Sequence, residues 1–575
     1  MSSRLALAAR TAAFLTREQL VYWPLRRLQA ALPVPQPSPR AQWSDTRARR
    51  VAPEVAAWGP PDRDDYRRRA ARVLEGRYRW LGHEEVLPTV DWTAPYGSRL
   101  WTYQLQYFDF ALDLAWAARA DGTAEALRRF EELALAWIEQ TRGGRGPGWE
   151  PYPLSKRIIN WCYVLLLSEG TLREDARRRI AESVALQLES LERRLELHLL
   201  ANHLQKNYSA LALGALLFDG PSAERWRTRF LPGIREAFLA QVHPDGVHAE
   251  RSPMYHAIAM ADLLEFTALS KAAGLSAPEP LVALGRRMRE VAQRFFRPDG
   301  TLHLINDSAE GSAPDAHWLA TLAERVLGPA SAAEGPFAFV RGGFFGYSDG
   351  ASGTRLIVDA GEPGPRHQPA HSHCGILGYE LDLAGRPVIT DSGLSGYDGD
   401  PYRAYVRSTR AHNTLSIDGL EQSEVWGTFR MARRATVVSA QEDLAGGTYR
   451  FSGAVRPYHT PGAVHRRTIE RIRGGWRVTD QVEGAPGRLV ESFIHLHPDF
   501  RVQQGAEGYV ARSATLEVRL RPFGADSVTM VLGAREPVQG WYCPAFGTAI
   551  PAQVLGVRVE RNAGQPFGYE VTVSA

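Results

Sequence analysis

The sequence predicts an α+β chain of more than one domain, a helical half followed by an antiparallel β half. Three observations carry this. First, 575 residues exceed what one hydrophobic core organises. Second, residues 100–327 repeat apolar positions at three- and four-residue steps over helix-length stretches: "LWTYQLQYFDFALDLAWAARA", "LSKRIINWCYVLLLSEG", "HLQKNYSALALGALLFDG" and "PMYHAIAMADLLEFTALSKAAG". Third, after "LGPASAAEGP" (328–336) the pattern turns to short alternating runs such as "GTRLIVDAG", "GWRVTDQV" and "ATLEVRLRP", separated by Gly-bearing turns. The expected divisions are an irregular lead-in over 1–65 containing "LPVPQPSPR", a helical domain over 66–330 and a β domain over 335–575.

Composition narrows the function classes. With 44% apolar and 23% charged residues the chain reads as a soluble globular protein, and a net charge of +4 does not mark a nucleic-acid binder. Three cysteines, Cys162, Cys374 and Cys543, lack the spacing of a disulfide framework or a thiolate cluster. No run of eighteen apolar residues occurs, so no integral membrane segment is expected. The opening "MSSRLALAARTAAFL" is interrupted by Arg10 and makes an unconvincing secretory signal, which leaves the compartment open.

In the helical half, helices are expected to start near Trp101, Leu154, Asn202 and Pro253, with "INDSAEG" following near Ile305. Steps of roughly fifty residues are the length of a helical hairpin with its loops, and such hairpins stack into a toroid or solenoid. In a toroid every second helix begins at the same rim. Lys156 and Arg157, Asn202 and His203, Tyr255, and Asp307 are therefore expected at one end of one cavity. Asn202 reads equally as a helix N-cap, with Gln205 completing a capping box, and as a ligand contact. His203 lies in the first turn, beside free backbone N–H groups that favour an anion. In "HPDGVHAERSPMYH", Ser252 and Pro253 suit the N-cap and first helical position and put Tyr255 in the first turn. A helix N-terminus and neighbouring cations there would favour a phenolate, as a proton shuttle requires. A Glu250–Arg251 salt bridge is expected to brace this loop.

The β half opens with "PAHSHCGILGYELDLAGRPVITDSG" (369–393), which reads as a hairpin turning at "AGR". A hairpin returns its ends to one place, so His371, His373 and Asp391 are expected to be neighbours, and strand alternation puts His371 on the face of His373. His412 of "YVRSTRAHNTLSIDG" precedes another strand. His373, Asp391 and His412 thus form a ligand set suited to one Zn2+ per chain, expected to be structural.

The stretches "NHLQKNYSAL", "DGVHAERSPMYH", "HSHCGILGYELDLAGRPVITDSG" and "YRAYVRSTRAHNTLSIDG" together resemble the heparinase II/III-like polysaccharide lyases, a family with relatives acting on alginate. The resemblance spans roughly residue 70 to the end. It implies an N-terminal incomplete (α/α) toroid followed by a C-terminal antiparallel β-sandwich, and β-elimination on a uronic-acid-containing, anionic polysaccharide. It also implies Asn202 and His203 on the substrate carboxylate, Tyr255 as acid or base with His371 as partner, and zinc on His373, Asp391 and His412. Cys374-Gly375 departs from the Ala-Asp common in relatives.

The enolate formed by removing the proton beside a carboxylate needs facing donors, which Asn202 and His203, helped by Lys156 and Arg157, would supply. Tyr397 and Tyr405, between Asp391 and His412, are reserve proton-transfer groups, and Glu250 is a further substrate contact. The resemblance implies a cell-envelope or periplasmic setting and extends the substrate class to an exopolysaccharide of the producing cell. Two other classes remain: a glycoside hydrolase using Asp245, Glu250 and Asp307 as paired carboxylates, and a non-catalytic polysaccharide-binding or biosynthesis-associated protein.

Overall fold

Helices whose residues are buried on every face belong at the centre of a bundle, and three of this chain's helices are of that kind. The computed structural model describes residues 4–31, 39–62, 65–122, 124–275 and 279–574. Its helices are α1 (Arg4–Ala12), α2 (Arg17–Ala31), α3 (Asp45–Trp58), α4 (Tyr66–Leu74), α5 (Arg99–Tyr107), α6 (Asp109–Asp121), α7 (Ala124–Gln140), α8 (Pro151–Leu167), α9 (Glu174–Glu192), α10 (Ala201–Leu217), α11 (Pro221–Gln241), α12 (Pro253–Ala272), α13 (Glu279–Phe295) and α14 (Ala316–Leu327). α8, α10 and α12 bury nearly all their residues. They follow α6 in an inner row in which each packs on the next, while α7, α9, α11 and α13 return outside them. The inner starts, Asp109, Pro151, Ala201 and Pro253, keep the roughly fifty-residue interval of stacked hairpins. This is the open (α/α) toroid expected.

The lead-in differs from its expected irregularity. α1, α2 and α3 lie within it, and α3 buries Ala48, Val51, Val55 and Trp58 in the toroid core. Apolar residues at three- and four-residue steps, Val51, Val55 and Trp58, drive that docking. The proline-rich 32–38 lies outside the described residues.

The β half is a two-layer antiparallel sandwich. One layer has eight strands, in the order Thr436–Asp443, Arg450–Arg456, Val464–Ile472, Gly475–Glu483, Phe567–Val573, Glu517–Phe523, Gly508–Arg512 and Arg501–Gly505. The other joins a five-stranded sheet (Gly335–Phe339, Phe344–Asp349, Thr354–Asp359, Gly378–Leu383, Arg386–Ile389) to a four-stranded one (Leu415–Ile417, Val490–His495, Gln553–Val559, Ser527–Leu532) through the Ile389–Leu496 bridge. Strand Gly475–Glu483 shows why the layers face each other: Trp476, Val478 and Val482 alternate inward, while Thr479, Gln481 and Glu483 look outward. The expected hairpin is present, with Gly378–Leu383 pairing Arg386–Ile389. Its turn residues Ala384 and Gly385 sit at φ 50° and 74°, the left-handed pair that a tight two-residue turn requires.

Two buried arginines join the halves. Arg251, before α12, donates to Gly342 O, Glu362 O and Asp359, and a Cβ at Gly361 would overlap its guanidinium. The expected Glu250–Arg251 pair therefore does not form. Arg297, after α13, donates to Asp382 at 3.1 Å and Glu380 at 2.5 Å; Glu380 also takes His303 at 2.7 Å and Leu304 N–H at 2.7 Å. Burial would raise the Glu380 carboxyl, but Arg297 and His303 outweigh it and hold it down at about 2.

Glu380 therefore contributes stability that is complete above the ordinary carboxylate value of ~4.3 and lost as pH falls towards about 2. Thermal unfolding between pH 5 and 3 should show a falling midpoint that Glu380→Gln flattens. At neutral pH that variant should lose ~3–5 kcal/mol, because Arg297 is left without one of its buried carboxylates.

Candidate active site

Three loops of the toroid bring non-glycine residues into the left-handed region directly ahead of polar side chains. Leu200 and Ala201 (φ 60° and 49°) precede Asn202, Arg251 (φ 56°) precedes Ser252, and Asn306 (φ 57°) precedes Asp307. Such conformations cost ~1–3 kcal/mol each and persist where the surroundings hold them. For Arg251 and Asn306 the surroundings include the β half, through Asp359 and His373.

Ser252 is the N-cap of α12, as its Ser-Pro pair predicts: its Oγ accepts the Tyr255 N–H at 3.2 Å and donates to Asp307 O at 2.7 Å. Tyr255 is thereby fixed in the first turn and tied to the loop carrying Asp307. The Asp307 carboxylate is fully buried and receives His371 Nδ1 at 2.9 Å, His373 Nε2 at 2.7 Å, and both terminal nitrogens of Arg403, one of them at 3.0 Å. Burial alone would raise this carboxyl. The Arg403 guanidinium and the two imidazoles outweigh burial and keep it ionised, well below the usual range. His371 and His373 lie in the loop ahead of strand Gly378–Leu383, so their common side comes from this shared carboxylate and not from strand alternation.

With Nδ1 on Asp307, His371 turns Nε2 towards Glu250, 3.7 Å from its Oε2. Its ring lies on Tyr255, centroids 4.0 Å apart. The Tyr255 hydroxyl meets the Tyr397 hydroxyl at 3.0 Å, and the Tyr397 ring is bracketed by Phe429 and Phe546. Burial, then Tyr397 and the Glu250 and Asp307 carboxylates, push the Tyr255 phenol well above its ordinary value. The phenolate expected from the helix terminus does not form in this arrangement. Tyr255 is held as a neutral phenol.

Opposite this pair, the Asn202 N–H donates to Glu250 Oε1 at 3.1 Å, and its side chain stays partly exposed. α10 begins at Ala201 with Leu200 as cap, so the Asn202–Gln205 capping box is not made. His203 gives Nδ1 to Glu196 at 3.1 Å and rests on the Tyr152 ring. Burial opposes its charge, but Glu196 outweighs burial and raises its pKa.

Two expected contacts, Arg157 and Tyr405, are placed differently, and Lys156 is held by an ion pair. Arg157 is wholly buried, donating to Gln187, Gln106 O and Gly148 O and stacking on Trp137 at 3.7 Å, so it braces helices. Tyr405 is buried against Ser392 and the Gly540 N–H, away from the cleft. Lys156 is tied to Asp109 at 2.9 Å. Helix phase explains Arg157: one step after Lys156, it turns from the cavity into the packing layer. The hydrolase pairing has no support, because Asp245 caps the Arg341 and Gly342 N–H groups at the junction and Asp307 is saturated. Sequence reasoning missed Arg403, although "YRAYVRSTRAHN" contains it; nothing local marks an arginine whose carboxylate lies 96 residues away.

The expected zinc set is adjacent but paired. His412 Nδ1 meets Asp391 Oδ2 at 2.7 Å, and the His373 and His412 ring centroids are 5.3 Å apart. Among the described residues His373 Nδ1 and His412 Nε2 are buried without partners; burial pushes His373 down to about 3, the neutral form a metal needs, whereas Asp391 outweighs burial at His412 and raises it. The donor chemistry fits zinc. Among the described residues, however, no group of three or more ligand side chains converges as a metal cage.

Residues 87–324 match the family described as Heparinase II/III N-terminus, and residues 332–567 match Heparinase II/III-like, C-terminal. A heparin-sulfate lyase of Pedobacter heparinus is 26% identical over 243 residues, which cover 37% of this chain and 36% of that relative's length. The fold is that of a crystal structure of heparinase III (TM-score 0.70, 19% identity, 89% of this chain and 84% of that one). It is also that of heparan sulfate lyase HepC from Pedobacter heparinus (TM-score 0.58, 18% identity, 89% and 83%).

Replacing Arg157 by Met should cost ~3–5 kcal/mol in chemical denaturation, since it strands two buried carbonyls and Gln187. KM of the folded fraction should not change. A raised KM with intact stability would return Arg157 to the cleft.

Proposed function

The chain belongs to the heparinase II/III-like family, and from that membership and the geometry around Tyr255 we propose that it is a polysaccharide lyase. It cleaves a uronic-acid-containing anionic polymer by β-elimination. The observation that supports this best is the His371 ring lying 4.0 Å from Tyr255, with the His371 Nδ1–H fixed on Asp307 and the phenol held neutral. One group is prepared to take a proton and its neighbour to give one.

In this reading Asn202 and cationic His203 face the uronate carboxylate and stabilise the enolate charge as it develops. His371 Nε2 removes the C5 proton, the C4–O bond breaks, and Tyr255 delivers its proton to the departing oxygen, leaving a C4=C5 double bond. Glu250 orients both sides, through the Asn202 N–H and towards His371. Tyr397 holds the Tyr255 hydroxyl in place. The polymer is an exopolysaccharide of the producing cell in the finer form of this proposal, and elimination measured on that polymer, heparan sulfate, chondroitin sulfate and alginate assigns it. His373, Asp391 and His412 would hold a zinc ion that acts on the fold alone.

Tyr255→Phe and His371→Ala should each lower turnover by ~10²–10⁴-fold, followed by the ultraviolet absorbance of the unsaturated uronate, with melting temperature little changed for Tyr255→Phe. Saturated products, or full activity in Tyr255→Phe, would remove the elimination reading.

For the metal, elemental analysis should find one zinc per chain in the wild type and none in His373→Ala/His412→Ala. A chelator should lower the melting temperature of the wild type alone. Zinc retained by the double variant would dismiss these ligands.

A further inference from the structure

The N-terminal arm is anchored on both halves. On the β side, Trp426 Nε1 donates to Thr11 Oγ1 at 3.0 Å, Arg10 pairs with Glu424 at 3.5 Å, and the Arg434 guanidinium covers Phe14 at 3.9 Å. Trp426 belongs to the small hairpin Val425–Trp426/Arg430–Met431. The turn of that hairpin gives Thr428 O to Arg403 and Phe429 to the Tyr397 ring. On the toroid side, Gln42 and Trp43 pair with Asp219 and Phe218. α2 lies between these anchors in sequence.

α2 carries Arg26 within electrostatic reach of Glu196, Glu150 and Arg194. Neither carboxylate serves it. Glu196 is taken by His203 at 3.1 Å and Asn207 at 3.0 Å, and Glu150 by Tyr103 at 2.7 Å and Arg99 at 3.2 Å. Among the described residues, Arg26 Nη1, Arg194 Nε and His198 Nδ1 are all buried without a hydrogen-bond partner. Arg194 donates through Nη1 to Trp149 O at 3.3 Å, a neutral acceptor. Burial and then the charge of Arg26 push Arg194 down to about 10. Each buried unmet donor costs ~1–3 kcal/mol, more where the group is charged. Crowded cations with spare donors are relieved by an anion, and guanidinium forks match the planar oxygens of carboxylate or sulfate.

We propose that Arg26, Arg194 and His198 form an anion-binding subsite beside His203, which takes a carboxylate or sulfate on a sugar of the polymer other than the one cleaved. The N-terminal arm is then part of the substrate-binding wall. The proposal rests on the lyase reading for its ligand, but the subsite itself can be tested without catalysis.

The test uses Arg26→Gln and Arg194→Gln, singly and together, in the full chain. Melting temperature is followed in sodium sulfate against sodium chloride at equal ionic strength. Wild type should gain more from sulfate than the double variant does. On a uronate polymer that the wild type eliminates, each single variant should raise KM about tenfold, the effect of losing one charge-assisted hydrogen bond of ~1.4 kcal/mol, and should lower kcat by less. Arg26→Lys should restore part of the loss. Unchanged sulfate response together with unchanged KM in the folded double variant would overturn the subsite. If wild type eliminates no polymer, the lyase reading falls, and the sulfate comparison still decides the subsite.

Discussion

The site depends on one buried carboxylate. Asp307 belongs to the toroid half, on the loop after α13, and its hydrogen-bond partners His371, His373 and Arg403 all come from the β half. A carboxylate taken out of water without partners would incur a penalty of several kcal/mol, and so would Arg403 without Asp307. Neither half can satisfy these groups alone. The docked arrangement is the one in which the charges balance, so the Tyr255–His371 contact forms only when the halves meet. The left-handed backbone at Asn306 is part of the same constraint: its side chain donates to Arg251 O at 2.9 Å and accepts the His373 N–H at 3.0 Å, turning the next residue inward.

A second regularity follows from the first. Four imidazoles near the site each hold a carboxylate at hydrogen-bond distance: His371 and His373 share Asp307, His203 has Glu196, and His412 has Asp391. A carboxylate on one ring nitrogen fixes the tautomer and points the other nitrogen elsewhere. That turns His371 Nε2 towards Glu250 and leaves His373 Nδ1 and His412 Nε2 without partners among the described residues. In the proposed reading the same residue type would serve proton transfer, charge stabilisation and ligation. Its role at each position is set by how its carboxylate is partnered. Asp307 is strongly held by Arg403 and remains an acceptor for His371, whereas Glu196 lacks an arginine bond of its own and leaves its charge to His203.

Much of this architecture was legible in local pattern. The shift from helical to alternating periodicity near 330, the interval between inner helices and the Ser252-Pro253 cap are short-range signals that packing did not override. The hairpin at 378–389 was equally local, with Ala384-Gly385 as its turn. What spacing could not give was side-chain direction. Lys156 and Arg157 share a rim by sequence, yet one helical step sends Arg157 into a fully buried layer against Trp137. Tyr405 likewise lies on the right loop and points into the sandwich. The Asn202 capping box failed because two left-handed residues, Leu200 and Ala201, start the helix one position earlier. Asp307 was visible as a rim acid, but its meaning required Arg403, and only the folded chain brings those two together.

The neutral phenol also constrains how the proposed reaction closes its cycle. When His371 has taken the C5 proton and Tyr255 has given its own, the pair becomes imidazolium and phenolate with no change in net charge. The two rings are already in contact at 4.0 Å, so the opposite charges stabilise each other where separate charges in a buried site would not survive. The Tyr397 hydroxyl, 3.0 Å from the phenolate oxygen, becomes its hydrogen-bond donor, and the Arg403 guanidinium over the Tyr397 ring supplies a fixed positive field. Returning the proton from His371 to Tyr255 resets the site without any other group titrating. Asp307 stays ionised throughout and holds the His371 ring still while its charge changes. In this proposed cycle the carboxylate that joins the halves is therefore also the group that keeps the His371 ring in register.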